Sequence, residues 1–182
     1  MFGMEVAIVL PGRSYGPEMS GLAIPIDALR SRGARILEVA YPPDPWPDFG
    51  RADAGDWSEI SDALAPQIAP ALETADAITL IAKSMGTSVF GGVRALFPSA
   101  TRAIWITPLF GDPDVRRDVI ASGFRCLSVF AADDPSHDPE GQAAVTAACN
   151  GSELGFEHGG HSLAMSDAQR EELRLAVEAF VA

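Results

Sequence analysis

Apolar positions along this chain follow two alternating rhythms. Short, near-continuous apolar runs occur at Val6–Leu10, Arg35–Val39, Ile78–Ala82, Ala103–Thr107 and Leu127–Ala131, each bounded by turn residues. Runs of that kind fit strands of a parallel sheet covered on both faces, where neither side of a strand meets water. Leu154–Phe156 reads as a last, short edge strand.

Between the runs the spacing is helical. Pro25 is expected in the first turn of a helix that stops at Gly33, the proline-first, glycine-last pattern. Asp56 and Glu59 read as a capping pair, followed by Ile60, Leu64, Ile68 and Leu72 at a four-residue period. Pro66 and Pro70 interrupt that stretch, which predicts a short helix and a second, broken turn. Val89, Val93 and Leu96 mark a helix directly after Ser84. Ser166 and Gln169 form a capping box for a final helix with Leu173, Val177 and Phe180 on one face. Strand and helix in alternation predict an α/β fold, a three-layer α/β/α sandwich around a mainly parallel sheet. Function in such sheets gathers at the loops leaving the carboxyl ends of strands.

Composition narrows the classes. The 182 residues suit one domain, residues 1–182, and a chain of that size buries roughly 70% of its unfolded surface. Hydrophobic residues at 47% and charged residues at 21% are ordinary for a globular chain. The Pro-rich stretch Tyr41–Pro47 reads as a loop. A formal net charge of −12 argues against nucleic acid and against an anionic membrane surface as partners. Cys126 and Cys149 make no disulfide framework and read as buried small hydrophobes. The N-terminus lacks a signal-peptide pattern, and no apolar run approaches the roughly 20 residues that span a bilayer. A cytoplasmic protein is expected, and no cofactor is called for.

Candidate chemistry sits at the strand ends. The third run leads through Ala82-Lys83-Ser84-Met85-Gly86 straight into a helix. A serine on such a sharp turn is strained and lifted clear of the sheet, and small residues two positions either side let the backbone pass its neighbours. As a string this is weak, and Ser84 also reads as a plain helix cap. The first run ends in Pro11-Gly12-Arg13-Ser14-Tyr15-Gly16, where a glycine turn can aim a backbone N–H above Ser84. The N–H groups of Arg13 and Met85 are the candidate oxyanion donors, Met85 at a helix N-terminus that favours negative charge. Neither a Gly-x-Gly-x-x-Gly nor a Gly-Lys-Ser/Thr pattern supports a phosphate loop.

The run Leu127–Ala131 leads into Asp133-Asp134-Pro135. An acid there can hold a histidine in the right tautomer and stabilise the imidazolium. Two adjacent aspartates compete, and Asp134, fixed by the following proline, is preferred. Near the C-terminus stands His158-Gly159-Gly160-His161. His161 is the preferred base because it lies deepest in the loop; His158 is second, and His137 serves if its loop folds back. The histidines and aspartates could instead bind a metal, but no His-x-x-x-His helix face or cysteine cluster supports that. Ser84, Asp134 and His161 follow three different strands in nucleophile, acid, base order.

With these residues the chain resembles the α/β-hydrolase superfamily, especially its small lidless members among carboxylesterase and dienelactone-hydrolase-like proteins. The resemblance runs from Leu10-Pro11-Gly12-Arg13 through Lys83-Ser84-Met85-Gly86 and Asp133-Asp134-Pro135 to Gly160-His161-Ser162-Leu163. It implies a nucleophilic Ser84, an orienting Asp134, a general base His161 and an acyl-enzyme resolved by water. Ala82 replaces the first elbow glycine, and Ala131 stands where the acid loop often has glycine. The first antiparallel strands of the full superfamily fold are missing. The stretch between Ser84 and Asp134 holds a helix, a strand and a helix, leaving no room for a lid. Substrate contacts are therefore expected from loops, at Trp46, Leu109 and Phe110. The expected activity is esterase-like, on a small ester, thioester or lactone; the alternative is a non-catalytic binding or scaffolding protein on the same fold.

Overall fold

A computed structural model describes residues 4–42 and 57–182. Among these, six strands form one sheet: β1 (Glu5–Leu10), β2 (Arg35–Glu38), β3 (Ala77–Lys83), β4 (Arg102–Ile106), β5 (Arg125–Ala131) and β6 (Ser152–Phe156). Their order is β2-β1-β3-β4-β5-β6, and every pairing is parallel. The central strands are the most apolar runs in the chain because both of their faces are covered. Along β1, Val6, Ile8 and Leu10 enter one core while Ala7 and Val9 enter the other, as a period of two requires.

Among the described residues, six α-helices cover the faces: α1 (Ser20–Ser31), α2 (Trp57–Leu72), α3 (Met85–Val93), α4 (Pro113–Ser122), α5 (Pro139–Ala148) and α6 (Asp167–Val181). Helices α1 and α6 pack on one face through Leu22, Ile26, Leu29, Leu173 and Val177. The other four pack on the opposite face, through Leu64 and Ile68, Val89 and Phe90, Val115 and Val119, and Val145. Each such buried side chain contributes about 1.5–3 kcal/mol, so the two apolar layers are what hold the sheet between helices. This is the three-layer sandwich that the alternating rhythm predicts, with a wholly rather than mainly parallel sheet.

The prolines depart from expectation. Pro25 lies in the middle of α1, not its first turn, and Met19 is the N-cap. Pro25 removes the N–H that would meet the Gly21 carbonyl, yet the helix runs through because Leu22, Ile26 and Leu29 are all buried on its core face. Helix α2 is likewise continuous through Pro66 and Pro70. Both prolines are exposed, so the carbonyls they free, at Asp62 and Pro66, face the solvent side, where water satisfies them. Gln67 between them ties the helix to the end of β2: Nε2 donates to the Ala40 carbonyl at 2.8 Å and Oε1 accepts from Ala40 N at 3.0 Å. The expected capping residue Asp56 and the side chain of Glu59 lie outside the described residues. At the end of α1 the chain turns at Gly33 with φ +89°, a left-handed conformation that glycine takes without steric cost. The Ser166–Gln169 capping box of α6 is formed on both sides. No described helix is long and apolar enough to cross a membrane.

Strand order positions everything that follows. From β1 the chain first steps outward to β2, then returns across β1 to β3 and proceeds the other way. The loops after β1 and β3 therefore diverge at one point of the sheet edge, the topological switch where α/β folds open a crevice.

Candidate active site

Ser84 is the single residue between β3 and α3. Its backbone angles, φ 49° and ψ −114°, lie outside the regions an L-residue favours, at a cost of about 1–3 kcal/mol that the surroundings must offset. They do so from three sides. Ser84 N donates to the Ile106 carbonyl at 3.0 Å, tying the turn to the end of β4. The Ser84 carbonyl accepts from Thr87 N at 2.8 Å and from Thr87 Oγ1 at 2.6 Å. Two residues on, a Cβ at Gly86 would stand 2.2 Å from the Leu10 carbonyl oxygen, so only glycine lets α3 lie this close to β1. Ala82, on the other side, is fully buried.

The loop after β1 folds onto the same turn. Gly12 and Tyr15 pair as an isolated antiparallel bridge, and a Cβ at Gly12 would meet Lys83 Cγ at 3.2 Å. Arg13, next in sequence to Gly12, is exposed on this turn. Met85 is the first residue of α3, where a backbone N–H has no partner inside the helix.

The two neighbouring aspartates divide their work. Asp134 is buried; Oδ1 accepts from Ser136 N at 2.8 Å and Oδ2 lies 2.9 Å from His161 Nδ1. Asp133 is exposed, and its partners are Gly160 and His158 rather than the His161 imidazole. Its Oδ1 accepts from Gly160 N at 2.7 Å, and Oδ2 lies 3.5 Å from His158 Nδ1. The Gly160 amide, with smaller help from Gly159 and His158, holds the Asp133 carboxyl below its ordinary range. Ala132 N donates to the Phe156 carbonyl at 2.7 Å, which draws the loop after β5 against the loop after β6.

His161 completes a line. Its Nε2 is 2.6 Å from Ser84 Oγ. An ionised carboxylate only accepts hydrogen bonds, so Asp134 fixes the proton on Nδ1 and leaves Nε2 free to accept from the Ser84 hydroxyl. The other histidines stand apart. His137 stacks on Phe130 with ring centroids 4.3 Å apart, and exposed His158 faces Asp133.

Expected apolar contacts are placed unequally. Leu109 is half-buried beside the turn, its N–H donating to Thr87 Oγ1 at 3.2 Å. Phe110 is 1% exposed and packs its ring against Trp105 in the core. Trp46 lies outside the described residues.

One residue of the site is absent from the sequence-based candidates. Lys83, 1% exposed, closes the apolar run just before Ser84. Its ammonium donates to Thr107 Oγ1 and, at 2.7 Å, to the carbonyl oxygen of His161, and it lies 4.6 Å from the centroid of the Tyr15 ring. Burial lowers its pKa to about 8, with the charge of Asp134 pulling the other way. A lysine at the end of a strand reads in a sequence as the strand's wet end; the missing signal was that β4 and the loop after β6 close over it.

No protein-family model and no curated protein matches this chain. Solved structures do. The serine hydrolase without a lid XC6422, from Xanthomonas campestris, aligns with TM-score 0.66 and 19% identity, over 97% of this chain and 80% of its own. A hydrolase of the α/β superfamily from Xanthomonas campestris pv. campestris, XCC1541, aligns with TM-score 0.67 and 19% identity, over 99% and 98%. Est1E from Butyrivibrio proteoclasticus aligns with TM-score 0.69 and 15% identity, over 98% and 87%. At these identities the likeness establishes the fold alone: the chain has the α/β-hydrolase fold, and no lid domain stands among the described residues.

Proposed function

We propose that this chain is an esterase-like serine hydrolase that cleaves a small ester, thioester or lactone through Ser84, His161 and Asp134. The observation that carries the reading is the unbroken line from Ser84 Oγ to His161 Nε2, 2.6 Å, and from His161 Nδ1 to Asp134 Oδ2, 2.9 Å. Both distances lie within hydrogen-bond reach, the geometric condition for a nucleophile and its general base.

In this reading Ser84 Oγ attacks the acyl carbonyl while His161 Nε2 takes its proton. Asp134, desolvated and held by Ser136 N, stabilises the imidazolium without itself taking the proton. The backbone N–H groups of Met85 and Arg13 receive the oxyanion, the first at the positive end of α3 and the second on the turn that lies over Lys83. His161 then returns the proton to the leaving oxygen or sulfur, and water attacks the acyl-Ser84 with His161 again as base. Half-buried Leu109, whose N–H meets Thr87 Oγ1, offers an apolar contact beside the elbow for a short acyl group. Both cysteines are free and buried, in keeping with a reducing compartment, and the reading includes a cytoplasmic enzyme.

The test is covalent. A fluorophosphonate probe should label the folded wild-type protein, the label should map to the peptide holding Ser84, and Ser84→Ala should be unlabelled. A wild-type protein that stays unlabelled, or equal labelling of Ser84→Ala, overturns the proposal.

A further inference from the structure

Lys83 stands where the fold has no packing need for a charge. It is the last residue of a strand buried on both faces, and an apolar side chain of similar length would fill the space without desolvating an ammonium. Removing such a charge from water costs several kcal/mol unless its donors are satisfied. Here they are satisfied by groups from three separate elements. Thr107 Oγ1 comes from the end of β4, the His161 carbonyl from the loop after β6, and the Tyr15 ring face from the loop after β1.

The second of these partners matters most. The loop carrying His161 has few backbone ties of its own around that residue. Gly159 and Gly160 take φ +151° and +57°, and Leu163 takes +53°. Leu163 N and Ala164 N bond back to Gly160 and Gly159, which closes the loop on itself, and buried Leu163 anchors its far end in the core. Three side chains fasten the stretch ahead of that anchor. Asp133 takes the Gly160 N–H, Asp134 takes the imidazole, and Lys83 takes the carbonyl of the histidine's own peptide. Of the three, Lys83 alone reaches it from β3, the strand that leads into Ser84.

We infer that Lys83 is a positioning residue, whose ammonium ties the peptide of His161 to Thr107 and so sets the distance between the base and Ser84. The inference rests on the hydrolase reading above for its consequence in activity, but not for the tie itself. Groups facing the ammonium are Thr107, the His161 carbonyl, the Tyr15 ring and, through charge, Asp134. Loss of the tie leaves the imidazole its contacts with Asp134 and Ser84 but frees the peptide behind it, which then has only the neighbouring Gly160–Asp133 bond to steady it. The chemistry at Ser84 is unchanged in kind, since Lys83 takes no part in bond making.

Lys83→Met keeps the length of the stem and removes every donor. Thr107→Val removes one acceptor and leaves the charge. Three readouts separate positioning from packing: the melting temperature, the rate of the bonding step of fluorophosphonate labelling at saturating probe, and the downfield proton resonance of the His161 Nδ1–H. Displacing a reacting group by about 1 Å costs on the order of 100-fold, so Lys83→Met should slow the bonding step by at least about tenfold. Its probe affinity should hold, and its Nδ1–H resonance should broaden well below the melting temperature. Thr107→Val should fall between Lys83→Met and wild type, and the double variant should be no slower than Lys83→Met, because both changes break one device. A bonding step within about twofold of wild type together with an unchanged resonance overturns the assignment. Should Lys83→Met fail to fold, Thr107→Val decides by the same two readouts. An unlabelled wild-type protein would instead sink the hydrolase reading, leaving the resonance to test the tie.

Discussion

The two halves of the candidate site are held in place by different physics. On the elbow side, Ser84 owes its position to steric fit: Gly86 lies under the Leu10 carbonyl, Ala82 is sealed in the sheet, and the turn is bonded to the end of β4. On the base side, His161 rides a glycine-bearing loop that side-chain hydrogen bonds from Lys83, Asp133 and Asp134 fasten to the strand ends. A packed elbow tolerates no added atom, whereas a fastened loop tolerates the loss of one tie at a time. Substitutions on the first side should therefore act on stability, and those on the second on reactivity.

The largest effect tests the base side. Asp134→Asn preserves shape but lets the imidazole take the wrong tautomer, so labelling of Ser84 should slow by about 10⁴-fold with little change in melting temperature. A loss smaller than tenfold would mean that Asp134 only supports the loop. Next comes the elbow. Gly86→Ala places a Cβ against backbone that cannot yield, and urea unfolding should show a loss of about 3 kcal/mol. An unchanged midpoint would show that α3 can move away from β1 freely, and the contrast drawn above would fail. The smallest effect is expected at Asp133. Asp133→Ala removes one exposed acceptor for Gly160 N, and labelling should slow roughly threefold, the scale of a single solvent-facing hydrogen bond. A fall as deep as that of Asp134→Asn would erase the division of work between the two aspartates.

Much of the fold was legible because parallel strands covered on both faces leave an unambiguous apolar run. The four central strands fall on such runs, while the edge strands β2 and β6, partly exposed, left a fainter one. The prolines of α2 misled because the rule about broken helices ignores which side they occupy, although Ile60, Leu64 and Ile68 mark the buried side. Pro66 and Pro70 lie on the exposed side, where freed carbonyls are hydrated, so a rule about broken helices did not apply. Within the site, adjacent residues on a turn point in different directions. In Asp133-Asp134-Pro135 the proline favours Asp134 for the imidazole, but nothing in the string assigns Asp133 to the Gly160 amide. Phe110 looked like a pocket residue because it follows a strand end, but a cluster of aromatic rings with Trp105 and Phe90 takes it inward. Lys83 was overlooked because its partners are brought to it only by tertiary structure: a hydroxyl after β4 and a carbonyl far along the chain.

The left-handed backbone at Ser84 has a consequence for how such a sequence persists. Glycine would sit at φ 49°, ψ −114° with less strain than serine does, so the most stable version of this chain is not the one observed. Mutation followed only by selection for folding would drift toward glycine at that position, and toward an apolar residue in place of the desolvated lysine beside it. A strained serine beside a desolvated lysine is a pairing that selection for stability alone would not favour.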